Sequence, residues 1–225
     1  MLKKYIVFSF ISYIAITSSI FASDSDQLPN SNETSTEELA ITLKEAIDND
    51  DISRIQAIMR DPRAKSAFAT VLREAVESEN LSTVRDILHY RAGEDAFHTA
   101  NANDEYYPLL CHAAQKTNLR LFRLLIDIGR DYINDTDEFG DTPLILATAT
   151  YASQESYEII KILIDMRADT EVKGEDDLTA LKSAYNTFSH IQTTSDFEKD
   201  IISLLVLNSN ISDYQYYDDS FLDNL

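Results

Sequence analysis

Three times in this 225-residue chain an alanine is followed five residues later by Asp or Asn, and then by apolar residues one, four and seven places further on. The copies are Ala46, Asp51, Ile52, Ile55 and Ile58; Ala75, Asn80, Leu81, Val84 and Ile87; and Ala113, Asn118, Leu119, Phe122 and Leu125. Each part has a physical reading. The alanine marks a point where two helices approach too closely for a larger side chain. Asp or Asn is a good N-cap, because its side-chain oxygen accepts a hydrogen bond from a free amide at the start of the next helix. The one-four-seven spacing puts the apolar residues on one face of that helix. The unit is therefore a helix, a tight turn and an antiparallel helix. One such hairpin cannot bury its own apolar face, so the units must stack. With only four Gly and four Pro in the chain, a fold of many tight β-turns is disfavoured and an all-α stack is expected.

Two looser copies follow. Ala147 precedes Ile159, Ile160, Leu163 and Ile164, and Ala184 precedes Ile201, Ile202, Leu204 and Leu205. The added residues, around Thr150–Glu155 and Ser189–Ser195, are expected to extend the inner helix or the turn. Ser35 and Glu38 have capping-box spacing, which places the start of the folded part. Five units are then expected at residues 36–63, 64–103, 104–138, 139–175 and 176–208.

The stretch Phe139-Gly140-Asp141-Thr142-Pro143-Leu144-Ile145-Leu146-Ala147 resembles the ankyrin-repeat signature G-x-T-P-L-H-x-A. Gly140, Thr142, Pro143, Leu144 and Ala147 match it, and Ile145 stands where His is usual. Residues from His112, Ala113 and Ala114 to Leu124 and Leu125 are similar to the family's helix-pair core, with Gly129 at the usual helix-terminating position. Thr179 and Leu181 repeat the T-x-L start. The successive alanine spacings of 29, 38, 34 and 37 bracket the family's period of about 33. The resemblance spans roughly residues 36–208 and is strongest in the third and fourth units. It implies a solenoid of about five helix-turn-helix repeats, with finger loops between units and a concave face that binds proteins. The absent His removes a side chain that usually ties the turn together.

The ends of the chain read differently. Lys3 and Lys4 precede an uncharged, mostly apolar run from Tyr5 to Ile20, and Phe21-Ala22-Ser23 offers a small-residue cleavage site. Two outcomes stay open: a signal peptide of residues 1–22 cleaved after Ala22, or an uncleaved anchor that tethers the chain to a membrane. Cleavage implies export, to a periplasm or the exterior, with no remaining membrane span. Residues 23–35 are polar and aperiodic and read as a disordered linker. Residues 209–225 mix Tyr214, Tyr216, Tyr217 and Phe221 with acids. They are read either as a partner-binding segment or as a cap, packed or disordered.

Net charge is −20. Residues 1–22 hold two Lys and no acid, so the cleaved chain would carry −22. Such a surface repels phosphate backbones, which excludes nucleic acid and favours a basic partner, or serves solubility alone. Cys111, the single cysteine, permits no internal disulfide and reads as a core residue.

No motif for a nucleophile, a phosphate loop or a dinucleotide is present, and His89, His98, His112 and His190 lack metal-ligand spacing. His112 is expected to be a hydrogen-bonded structural residue. Neither a catalytic site nor a cofactor is expected. The connections between units carry the candidate partner-binding residues: Asp104, Glu105 and Tyr106; Asp137, Glu138 and Phe139; Glu175 and Asp176. Acids beside aromatics suit a protein interface, and solvated loops of an acidic chain are the competing reading. The expected function is a monomeric, exported protein-interaction module with an unidentified protein partner, a basic one where charge steers the encounter. The alternative is a periplasmic accessory protein that stabilises an envelope partner.

Overall fold

The computed structural model describes residues 35–90, 92–101, 107–188 and 196–209. The export segment, the linker before Ser35 and the tail after Ser209 lie outside them. Among the described residues there are eleven α-helices and no strand. The helices are α1 (Thr36–Asp48), α2 (Ile52–Ile58), α3 (Ala64–Glu77), α4 (Leu81–His89), α5 (Ala92–Asn101), α6 (Leu109–Gln115), α7 (Leu119–Ile126), α8 (Pro143–Thr148), α9 (Gln154–Asp165), α10 (Ala180–Phe188) and α11 (Asp196–Asn208). Five antiparallel pairs stack side by side. One row runs α1, α3, α6, α8, α10, and α4, α7, α9 and α11 form the second, with α2 packed on α1. The core between the rows is continuous from Leu39 to Leu205.

The repeat is explained by its turn. The amide of each capping residue donates to the carbonyl of its alanine: Asp51 to Ala46 at 2.8 Å, Asn80 to Ala75 at 2.8 Å and Asn118 to Ala113 at 3.1 Å. The five-residue spacing is thus the length of one hydrogen-bonded reversal. The residue before each cap, Asp50, Glu79 or Thr117, has φ of 52°, 54° or 49°. The cap side chains then accept from the amides of Arg54 (3.0 Å), Thr83 (3.3 Å) and Leu121 (3.0 Å). Ser35 and Glu38 form the expected capping box. Ala46, Ala75, Ala113, Ala147 and Ala184 are all buried at the helix crossings, where they permit close packing.

In the fourth unit the added residues lengthen the turn and not the inner helix. Helix α8 ends at Thr148 and α9 begins only after the Ser153 cap, which leaves Tyr151 85% exposed. In the fifth unit α10 ends at Phe188, and the added residues 189–195 lie outside the described residues.

Helix α5 was not expected. It sits in the connection of the second unit and packs on α3 and α4, burying Ala96, Phe97 and Ala100. Arg73 Nη2 donates to Ala100 O at 2.9 Å, placing positive charge at the negative end of the helix. Asn101 Oδ1 accepts from the Leu109 amide at 3.1 Å and so caps α6 from the preceding element. This insertion accounts for the long spacing between Ala75 and Ala113. It also corrects the role of Gly129. That residue does not end α7 in a left-handed conformation; it opens a short 3-10 turn, Gly129–Tyr132. A Cβ there would lie 2.7 Å from Phe97 Cζ, so glycine is required by the ring of α5.

Candidate partner-binding surface

Two connections have the form of fingers: residues 127–142 before α8 and residues 166–179 before α10. The first closes on Asp137. Its amide donates to Asp141 O at 3.0 Å, and the Gly140 amide returns to Asp137 O at 3.1 Å. Gly140 has φ +86°, the one glycine of this tip that needs the left-handed region. The carboxylate fixes the same turn from inside. The Phe139 and Asp141 amides donate to Asp137 Oδ1 at 2.9 and 2.8 Å, and the Tyr107 hydroxyl donates to Oδ2 at 3.1 Å. Thr142 then caps α8, accepting from the Ile145 amide at 3.3 Å, with Pro143 as its first residue.

The second tip follows the same plan. The Gly174 amide donates to Leu178 O at 3.0 Å and the Asp177 amide to Gly174 O at 3.2 Å. Asp176 and Asp177 take φ of 57° and 60°, a conformation Asp tolerates better than most side chains. The fingers are joined twice. The Glu175 amide donates to Asp141 Oδ1 at 3.0 Å, and the Asp169 amide to Asn134 Oδ1 at 2.9 Å.

This geometry divides the sequence candidates. Phe139 is 56% exposed, and Glu138, Glu175 and Asp176 are exposed with it, as is Asp177. The Asp141–Glu175 bond brings the two tips that carry these residues side by side. Asp137 is corrected: it is only 7% exposed, because its carboxylate is committed to the turn and to Tyr107, so it offers no charge to a partner. Asp104, Glu105 and Tyr106 lie outside the described residues. Of the signature positions, Thr142, Pro143, Leu144, Ala147, Ala113, Ala114, Thr179 and Leu181 are buried. Ile145, in the place of His, is buried too.

Charges behind the tips are held at a cost. Burial raises the pKa of Asp141, the Glu175 amide opposes this, and the nearby Asp137 charge adds to it. Asp135 is raised by burial. Cys111 is fully buried; its thiol donates to the carbonyls of Asp135 (3.5 Å) and Asp141 (3.7 Å), and burial pushes its pKa far up. It is an inert core residue. His112 differs from expectation: its Nε2 is buried without a hydrogen-bond partner, and burial with the nearby Lys116 lowers its pKa. The ring packs edge-on against Tyr107, centroids 6.4 Å apart. Among the described residues, no group of three or more His, Cys, Asp or Glu is placed to hold a metal ion, and no helix is long and apolar enough to cross a membrane.

The roles of Tyr107, Asp141 and Gly174 escaped the sequence reading. One signal was available: Asp137 and Gly174 both stand five residues before a capping Thr, so the second tip visibly lacks the carboxylate of the first.

Residues 72–176 match the family model for ankyrin repeats (3 copies). Among solved structures, the chain is similar to the crystal structure of EF0377, an ankyrin repeat protein, at 17% identity over 75% of this chain and 98% of that one, with a TM-score of 0.47. It is also similar to a chain in the structure of the Bd0816 predatory endopeptidase from Bdellovibrio bacteriovorus in complex with immunity protein Bd3460. There the identity is 18% over 75% of this chain and 98% of that one, with a TM-score of 0.37. Ankyrin repeats are protein–protein interaction modules, and it is residues 72–176 of this chain that match them.

Proposed function

We propose that this ankyrin-repeat protein is an exported binding module that holds a basic segment of another protein against the tips of two adjacent fingers. The observation that carries the reading is the pairing of the tips through Asp141 and the Glu175 amide. It gathers Glu138, Phe139, Glu175, Asp176 and Asp177 on one exposed edge. Four carboxylates there attract Lys or Arg, and the exposed Phe139 ring offers both apolar contact and a face for a cation. A net charge of −20 adds long-range steering of a basic partner, which salt would weaken.

Export rests on the charged and apolar pattern of residues 1–22. Mass spectrometry of the chain from its source cell is expected to find an N-terminus at Ser23. Recovery outside the cell supports a secreted binder, and retention in the envelope supports an accessory role for a resident partner.

Binding is tested by co-purification from that compartment with the tagged chain and a variant carrying Glu138→Lys, Phe139→Ala and Glu175→Lys. Asp137 is left intact, so the turn survives. A partner lost from the variant, with affinity reduced roughly tenfold or more, supports the reading. A partner kept by both proteins removes the fingers as its site.

A further inference from the structure

We propose that Asp141 is a positioning residue that supplies, from one finger, the turn carboxylate which the next finger lacks. The two tips close through the same pair of backbone bonds, with one left-handed residue in the first and two, Asp176 and Asp177, in the second. In each, the first residue of the turn bonds backbone to backbone with the residue four places on, and a left-handed residue, Gly140 or Asp177, sits three places on. The first tip begins with Asp137, whose side chain accepts the amides of residues 139 and 141. The second begins with Gly174, which has no side chain to do this, and the carboxylate of Asp141 reaches into the turn instead, to the amide one place on. Oδ1 accepts the Glu175 amide at 3.0 Å, and a Cβ on residue 174 would fall on that same oxygen. The neighbouring carboxylate thus occupies the place of a side chain at residue 174.

The arrangement forms a chain across three successive connections: the Tyr107 hydroxyl to Asp137, the Asp141 amide to Asp137, and the Glu175 amide to Asp141. Its effect is that the second tip, closed by its own backbone bonds, is held in place against the first by a side chain of the first. The consequence for recognition rests on the binding reading above: Glu138 and Phe139 are held at a fixed distance from Glu175 and Asp176 before any partner arrives, which lowers the ordering cost of binding.

The test exchanges the two residue types and needs no partner, so it can fail while the binding reading stands, and the reverse. Amide exchange at Glu175 and Asp177 is read by NMR in the full chain and in Asp141→Ala, Asp141→Asn, Gly174→Asp and the Asp141→Ala/Gly174→Asp double variant. Removing the acceptor is expected to speed exchange at Glu175 roughly ten- to hundredfold. Asp141→Asn keeps the oxygen and is expected to retain protection. Gly174→Asp alone is expected to disorder the tip by collision with Asp141. The double variant, freed of the collision, is expected to regain the protection at Asp177 that Gly174→Asp loses, while Glu175 stays unprotected, because a carboxylate placed as that of Asp137 reaches the amides two and four places on. A double variant no better protected at Asp177 than Gly174→Asp, or unchanged exchange in Asp141→Ala, would overturn the assignment.

Discussion

Thr117 holds φ of 49°, a region that a β-branched side chain seldom enters. The turn needs it, since the adjacent Asn118 amide must reach Ala113 O. Thr117→Gly is therefore expected to stabilise the protein by about 1 kcal/mol, read as a higher thermal midpoint. Asp141 gives a second prediction at this scale. Its pKa is raised by burial, so the folded state holds the proton more tightly than the unfolded chain. The cost of ionising it is absent below its unfolded pKa and complete above the raised folded value. Asp141→Asn keeps the acceptor and removes the charge. It is expected to melt higher than the parent at pH 7, with the gain shrinking as pH falls through the carboxylate range. A constant difference at all pH values would contradict this.

Among elements, the helix pairs owe their form to the buried alanines. Ala113 is fully buried, where α6 packs against its neighbours, and Ala113→Leu is expected to cost roughly 1–3 kcal/mol by overpacking. An unchanged melt would mean the register of the repeat is wrong. These pairs were legible because alanine, cap and apolar face each follow from local spacing. Helix α5 was not. Its buried residues among those described, Ala96, Phe97 and Ala100, are too few to show a period, and its place depends on Arg73 and the notch at Gly129. For the same reason Gly129 looked like a helix stop. The exposed tip acids were legible as acids, but Asp137 could be sorted from Glu138 only by the turn that buries one and exposes the other. Cross-finger contacts such as Asp141 with Glu175 join residues 34 apart, which no local pattern reveals.

For the whole molecule, stability is expected to be close to a sum over units and the interfaces between neighbours. Deleting residues 176–208 should lower helicity and the thermal midpoint without abolishing the helical signal in circular dichroism. Complete loss would show a single cooperative core instead of a stack. The function proposed here is also a property of the assembled stack, because the acidic edge exists only where two fingers meet. Its most direct test places a photo-crosslinking amino acid at Phe139, at Asp176 and at the exposed outer positions Gln56 and Ser82, in the protein made in its source cell. The account predicts that one partner is captured from positions 139 and 176 and not from 56 or 82. Capture from the outer positions alone, or none from the tips, would contradict it.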